Sequence, residues 1–121
     1  MAIILVIDDD KIIREAVTDI LEIFDVGVIT ASTGAEGIEI FKNRQNEIDG
    51  VIIDRRMPFL SGMETLQILR QIQKHVPVII SSGYADEAGE SEENIEKPDA
   101  YLYKPYEIQD LINLVKKVIL K

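Results

Sequence analysis

Ile3 to Ile7 is an unbroken apolar, largely β-branched run that stops at Asp8-Asp9-Asp10. That is the pattern of a strand buried on both faces of a parallel sheet. From Ile12 onward the period changes, and Ile13, Ala16, Val17, Ile20, Leu21 and Phe24 recur every third or fourth position, which predicts an amphipathic helix. A second strand is predicted at Val26 to Thr30. Thr33-x-x-Glu36 then reads as a capping box opening a helix that turns Ala35, Ile38 and Phe41 inward. Gly50 to Asp54 repeats the plan of the first strand, again ending at a carboxylate. Ser61-x-x-Glu64 caps a third helix with the stripe Met63, Leu66, Leu69 and Ile72. Val76 to Ser81 and Ala100 to Tyr103 predict two more strands. After Lys104-Pro105, Ile108, Leu111, Ile112, Val115 and Val118 line one face of a last helix.

The fourth unit is the weakest, because between Tyr84 and Pro98 only residues such as Ala85, Ala88 and Ile95 offer an apolar stripe, and Gly89 lowers helix propensity. With so little to bury, this segment is expected to be short, mobile or locally unfolded without a partner. Alternating βα units predict an α/β fold: a doubly wound, five-stranded parallel sheet with helices on both faces. Right-handed crossovers carry every strand's carboxyl end to one edge, where ligands bind. Asp8, Asp9, Asp54, Ser82 and Lys104 all leave strand ends or the loops just after them, so the topology gathers them in one cleft.

Composition narrows the function. A chain of 121 residues with 46% hydrophobic content suits one domain over residues 1–121, with no output domain expected. No cysteine is present, which excludes disulfides and thiolate metal sites and suits the cytoplasm. The longest apolar run is far too short for a membrane span, and no signal peptide is recognisable. A formal charge of −9 disfavours nucleic acid as a partner. Much of that acidity sits in Asp86, Glu87, Glu90, Glu92, Glu93 and Glu96, opposed locally only by Lys97.

Three clustered carboxylates repel one another unless a cation compensates them. Mg²⁺ meets that need, because carboxylates, a backbone carbonyl such as that of Arg56, and waters leave positions for phosphate oxygens. Asp10 alone suffices to cap the first helix, which leaves Asp8 and Asp9 for other work. An aspartate can attack phosphorus once nearby cations neutralise the transferring group, and Lys104 is placed to help. Ser82 can hydrogen-bond a phosphoryl oxygen, with Gly83 leaving its amide uncrowded.

In order and separation, Ile4-Leu5-Val6-Ile7-Asp8-Asp9-Asp10, Asp54-Arg55-Arg56-Met57-Pro58, Pro77-Val78-Ile79-Ile80-Ser81-Ser82-Gly83 and Tyr101-Leu102-Tyr103-Lys104-Pro105 make the chain resemble the receiver domains of bacterial two-component response regulators over nearly its full length. The resemblance implies a flavodoxin-like strand order of 2-1-3-4-5. It also implies Asp54 as phosphoryl acceptor, and Mg²⁺ held by Asp9, Asp54 and the Arg56 carbonyl with Asp8 acting through water. Lys104 would pair with the phosphoryl group, Ser82 would fill the hydroxyl switch position and Tyr101 would swing between rotamers. The Lys104-Pro105 bond would be cis. The implied partners are a sensor histidine kinase or phosphotransfer protein, an unknown downstream protein, and a second copy in a phosphorylation-dependent homodimer.

The sequence departs from the family pattern in Ser82-Gly83, where threonine then alanine is commoner. It departs also in Arg56 and Tyr84, whose positions tune phosphoryl lifetime, and in the acidic fourth helix. The expected function is a phosphorylation-controlled switch that changes the face built by the fourth and fifth units, and not an enzyme with a separate substrate. The rivals are a non-phosphorylated docking module and a metal-dependent phosphohydrolase, though the Asp-x-Asp-x-Thr arrangement usual in the latter is absent. Gly34-Ala-Glu-Gly37 lacks the lysine and hydroxyl of a nucleotide-binding loop. His75 reads as a solvent-facing loop residue, Met57-Pro58 as a loop anchor, and Lys116, Lys117 and Lys121 as complements to a helix dipole.

Overall fold

The computed structural model describes residues 1–83 and 95–121. The elements run β1 (Ile3–Ile7), α1 (Lys11–Ile23), β2 (Gly27–Ala31), α2 (Gly34–Arg44), β3 (Gly50–Asp54), α3 (Gly62–Ile72), β4 (Val78–Ser82), β5 (Ala100–Tyr103) and α4 (Ile108–Val118). All strand pairs are parallel, in the order β2-β1-β3-β4-β5. This is the expected doubly wound sheet. The helix expected between Tyr84 and Pro98 lies, as far as residue 94, outside the described residues, as does Tyr84.

Alternation along the buried strands splits the core into two layers. Ile4, Val6, Ile52, Ile79 and Leu102 pack with α1 and α4 through Val17, Leu21, Leu111, Ile112 and Val115. Leu5, Ile7, Val51, Ile53 and Ile80 pack with α2 and α3 through Ile38, Phe41, Leu66 and Leu69. β1, β3 and β4 are therefore apolar at successive positions because both faces are covered.

Three local expectations are corrected. Ala35 is exposed, and α2 instead buries Gly34 and Gly37. A Cβ on Gly37 would collide with the Ile7 side chain, and one on Gly34 with Thr65 Oγ1, so these glycines let α2 pack closely on β1 and α3. Glu36 does not close a box on Thr33. Its carboxylate accepts from the Ser32 amide at 2.6 Å, while Thr33 Oγ1 accepts from the Glu36 amide at 3.0 Å. Ile108 is 57% exposed at the start of α4, where the inward stripe begins only at Leu111. The Ser61–Glu64 box forms as expected, and His75 is exposed.

Candidate functional site

The carboxyl edge of the sheet gathers the acidic residues. Asp8 follows β1 directly, and its carboxylate accepts from the Asp10 amide at 2.9 Å, while Arg14 Nη1 donates to the Asp8 carbonyl at 2.7 Å. Asp10 is spent on capping α1, accepting from the Ile12 amide at 2.9 Å. Asp54 ends β3. Because Ile52 faces the α1/α4 layer, Asp54, two positions on, leaves the sheet on that same side. Carboxylate oxygens of Asp8, Asp9 and Asp54 lie within 4.8 Å of one another, with Asp8 and Asp54 buried and Asp9 exposed. Lys104 reaches in from beyond β5, and its Nζ donates to Asp54 Oδ1 at 2.8 Å. The Lys104–Pro105 bond is cis, as the resemblance implies.

The electrostatics follow from this crowding. Burial pushes the Asp8 carboxyl up to about 6, with the Asp54 and Asp9 charges adding to the rise against the Asp10 hydrogen bond and Lys104. Burial alone would lower the Lys104 ammonium, but its bond to Asp54 and the charges of Asp54 and Asp8 outweigh that and raise it. Burial raises the Tyr106 phenol as well. The Asp8 shift has a stability consequence. Its folded value near 6 lies above the ordinary 3.8, so its contribution is present below pH 3.8 and lost as pH rises through 6. In EDTA at pH 7.5, Asp8→Asn is therefore expected to be more stable than wild type by about 1–2 kcal/mol after solvent screening. Urea unfolding across pH 4 to 8 checks this, and an unchanged pH slope in the variant would contradict it.

Ser82, Tyr101 and Arg56 are the other residues expected at the site. Ser82 ends β4 and is 1% exposed; its hydroxyl donates to the Gly83 carbonyl at 3.1 Å and accepts from Arg55 Nη1 at 3.4 Å. Tyr101 is half-buried on β5, stacked on Tyr103 with ring centroids 5.9 Å apart. Arg56 is exposed on the loop after β3. Arg14, Arg55 and Gly62 also shape this edge, though no motif in the sequence announces them. Gly62 opens α3 against the end of β3: a Cβ there would collide with the Asp54 carbonyl and lie 2.8 Å from Arg55 Cα.

Comparison with known proteins agrees with the fold, a parallel sheet ordered 2-1-3-4-5. Residues 4–116 match the family model of the response regulator receiver domain. The chain belongs to that family. A solved receiver domain protein from Clostridium thermocellum is 39% identical with a TM-score of 0.86, over 97% of this chain and 93% of that one. Response regulator TrrA from Thermotoga maritima, solved in complex with Mg²⁺-BeF, is 30% identical with a TM-score of 0.84, over 97% and 98%. Response regulator MprA of Mycobacterium sp. strain KMS is 29% identical over 117 residues, which are 96% of this receiver chain and 50% of MprA. The chain thus spans about half the length of the curated response regulators it matches. Among the described residues, no helix is long and apolar enough to cross a membrane.

Proposed function

We propose that this receiver chain is a phosphorylation-controlled signalling switch whose acceptor is Asp54. One observation carries the reading: three carboxylates converge within 4.8 Å, and the one ending the central strand is held by Lys104 at 2.8 Å. The donor set is all hard oxygen and two of the three acids are buried, which fits Mg²⁺ better than a softer ion. Asp9, Asp54 and the Arg56 carbonyl would hold the ion, with Asp8 acting through water. When bound, Mg²⁺ supplies charge compensation for phosphoryl oxygens. A relative bound to Mg²⁺-BeF supports the assignment.

In the proposed reaction an Asp54 carboxylate oxygen forms a bond to phosphorus as the phosphorus–nitrogen bond of a partner kinase's phosphohistidine breaks, leaving neutral imidazole after proton uptake. Lys104 exchanges its carboxylate bond for a phosphoryl oxygen, and the Ser82 hydroxyl turns from Gly83 to donate to another. Water later releases inorganic phosphate, so the chain modifies itself and turns over no separate substrate. Charge-assisted hydrogen bonds of roughly 1.5–3 kcal/mol each mean that two or three reach the about 5.5 kcal/mol that inverts a 1:99 equilibrium.

The test is intact-mass measurement of the full chain after incubation with Mg²⁺ and acetyl phosphate. One added phosphoryl group, abolished by EDTA, is expected. No addition, even from a panel of phosphorylated histidine kinases, would make the chain a docking module. Continuous release of phosphate would make it a phosphohydrolase.

A further inference from the structure

Arg55 follows the acceptor in sequence but lies on the opposite side of the sheet. Ile53 packs in the α2/α3 layer, so period-two alternation sends Arg55 to that layer and away from the carboxylates. The residue is 5% exposed, an expensive place for a guanidinium unless polar or aromatic groups receive it. Two groups that receive it belong to the proposed switch. Nη1 donates to Ser82 Oγ at 3.4 Å, and Cζ sits 5.9 Å from the centre of the Tyr101 ring. Tyr101 belongs to the same layer.

The Ser82 hydroxyl has one proton, presently given to the Gly83 carbonyl at 3.1 Å, while Arg55 occupies a lone pair. The proton can therefore swing toward a phosphoryl oxygen without loss of the Arg55 bond. A planar guanidinium can bond an oxygen along its edge and cover a ring with its face at once, which an ammonium does less well. A phosphoryl group adds about 1.5–2 negative charges, a stronger attraction for the cation than the quadrupole of a tyrosine ring.

We propose that Arg55 is the positioning residue that couples Ser82 to Tyr101: as the Ser82 oxygen is drawn to a phosphoryl group on Asp54, the guanidinium follows it and leaves the Tyr101 ring. The proposal rests on the switch reading above. It assigns to Arg55 the link between an event on one side of the sheet and an aromatic side chain on the other.

The full chain with ¹³C-labelled tyrosine rings tests it, because the sequence holds only four tyrosines and Tyr101→Phe assigns the signal. Tyr101 shifts are read in Mg²⁺ alone and with beryllium fluoride added as phosphoryl mimic. The bound mimic is counted by fluorine NMR, so that responses are compared per occupied molecule. Wild type is expected to show a displaced Tyr101 signal on mimic binding. Arg55→Met keeps the stem length without the charge; its Tyr101 should start near the displaced position and move roughly fivefold less. Arg55→Lys keeps a cation but no fork and should recover about half of the wild-type movement.

A Tyr101 movement in Arg55→Met equal to wild type would overturn the proposal while leaving the switch intact. Should Arg55→Met not fold, Arg55→Lys decides alone, since full wild-type movement there overturns the coupling. A wild type that binds no mimic and takes up no phosphoryl group would instead sink the switch reading, and the Arg55 proposal with it.

Discussion

Asp54→Ala is expected to carry no phosphoryl group after exposure to Mg²⁺ and acetyl phosphate, with uptake below about 1% of wild type by intact mass. The methyl group offers no nucleophile, and the neighbouring acids are poor substitutes. Asp8 has one oxygen committed to the Asp10 amide and a carboxyl raised to about 6, while Asp9 is exposed. Lys104 bonds Asp54 at 2.8 Å, which puts a cation beside the place where a phosphoryl group on that carboxylate would carry its charge. Removing Asp54 also removes one of the three converging oxygens, so Mg²⁺ affinity should fall by roughly 10-fold or more in a calorimetric titration. A phosphoryl group found on Asp8 or Asp9 of this variant would show that the acceptor was misassigned.

Gly62→Ala should be the most damaging single methyl near the site. The added carbon has no flexible side chain to push aside: it meets the Asp54 carbonyl and lies 2.8 Å from Arg55 Cα, both main chain. Relieving the overlap moves α3 outward or the end of β3 sideways, and breaks the 2.9 Å bond from the Gly62 amide to the Arg55 carbonyl. Overpacking of this kind costs roughly 2–3 kcal/mol, read as a fall in the urea midpoint. Because the displaced atoms carry the proposed acceptor, phosphorylation should also slow by about tenfold or more, misplacement by an ångström being costly. A stable Gly62→Ala with normal phosphorylation would mean that the approach is looser than the structure has it.

The period of the apolar positions was enough to place every strand within two residues and to bring the acids to one edge, since a buried parallel strand must be apolar throughout and ends where polarity resumes. What hydrophobicity alone misses is visible in particular residues. Ala35 was expected inward because apolar stripes count methyls, whereas α2 approaches β1 and α3 through Gly34 and Gly37, which have none. β4 begins at Val78 and not at Val76 because Pro77 has no N–H to give the ladder; its carbonyl accepts from the Val51 amide at 3.0 Å. Arg55 was legible in principle, as period-two counting from Ile53 sends it to the buried layer, but a charged residue beside an exposed arginine reads as loop. Two of its partners, Ser82 and Tyr101, are 27 and 46 positions away, separations that only the folded sheet brings together.

The close seat of Gly62 on β3 bears on where motion can go. Asp54 ends a strand flanked by β1 and β4 and Arg55 follows directly, with the start of α3 fastened there and no side chain between to yield. β5, which carries Tyr101 and leads into Lys104, pairs among the described residues with β4 alone. A force applied between Asp54 and Lys104 would therefore act between a strand paired on both sides and an edge strand, and the edge would be the first to yield. In the proposed switch, that difference in anchoring would send the change toward β5 before any partner is present.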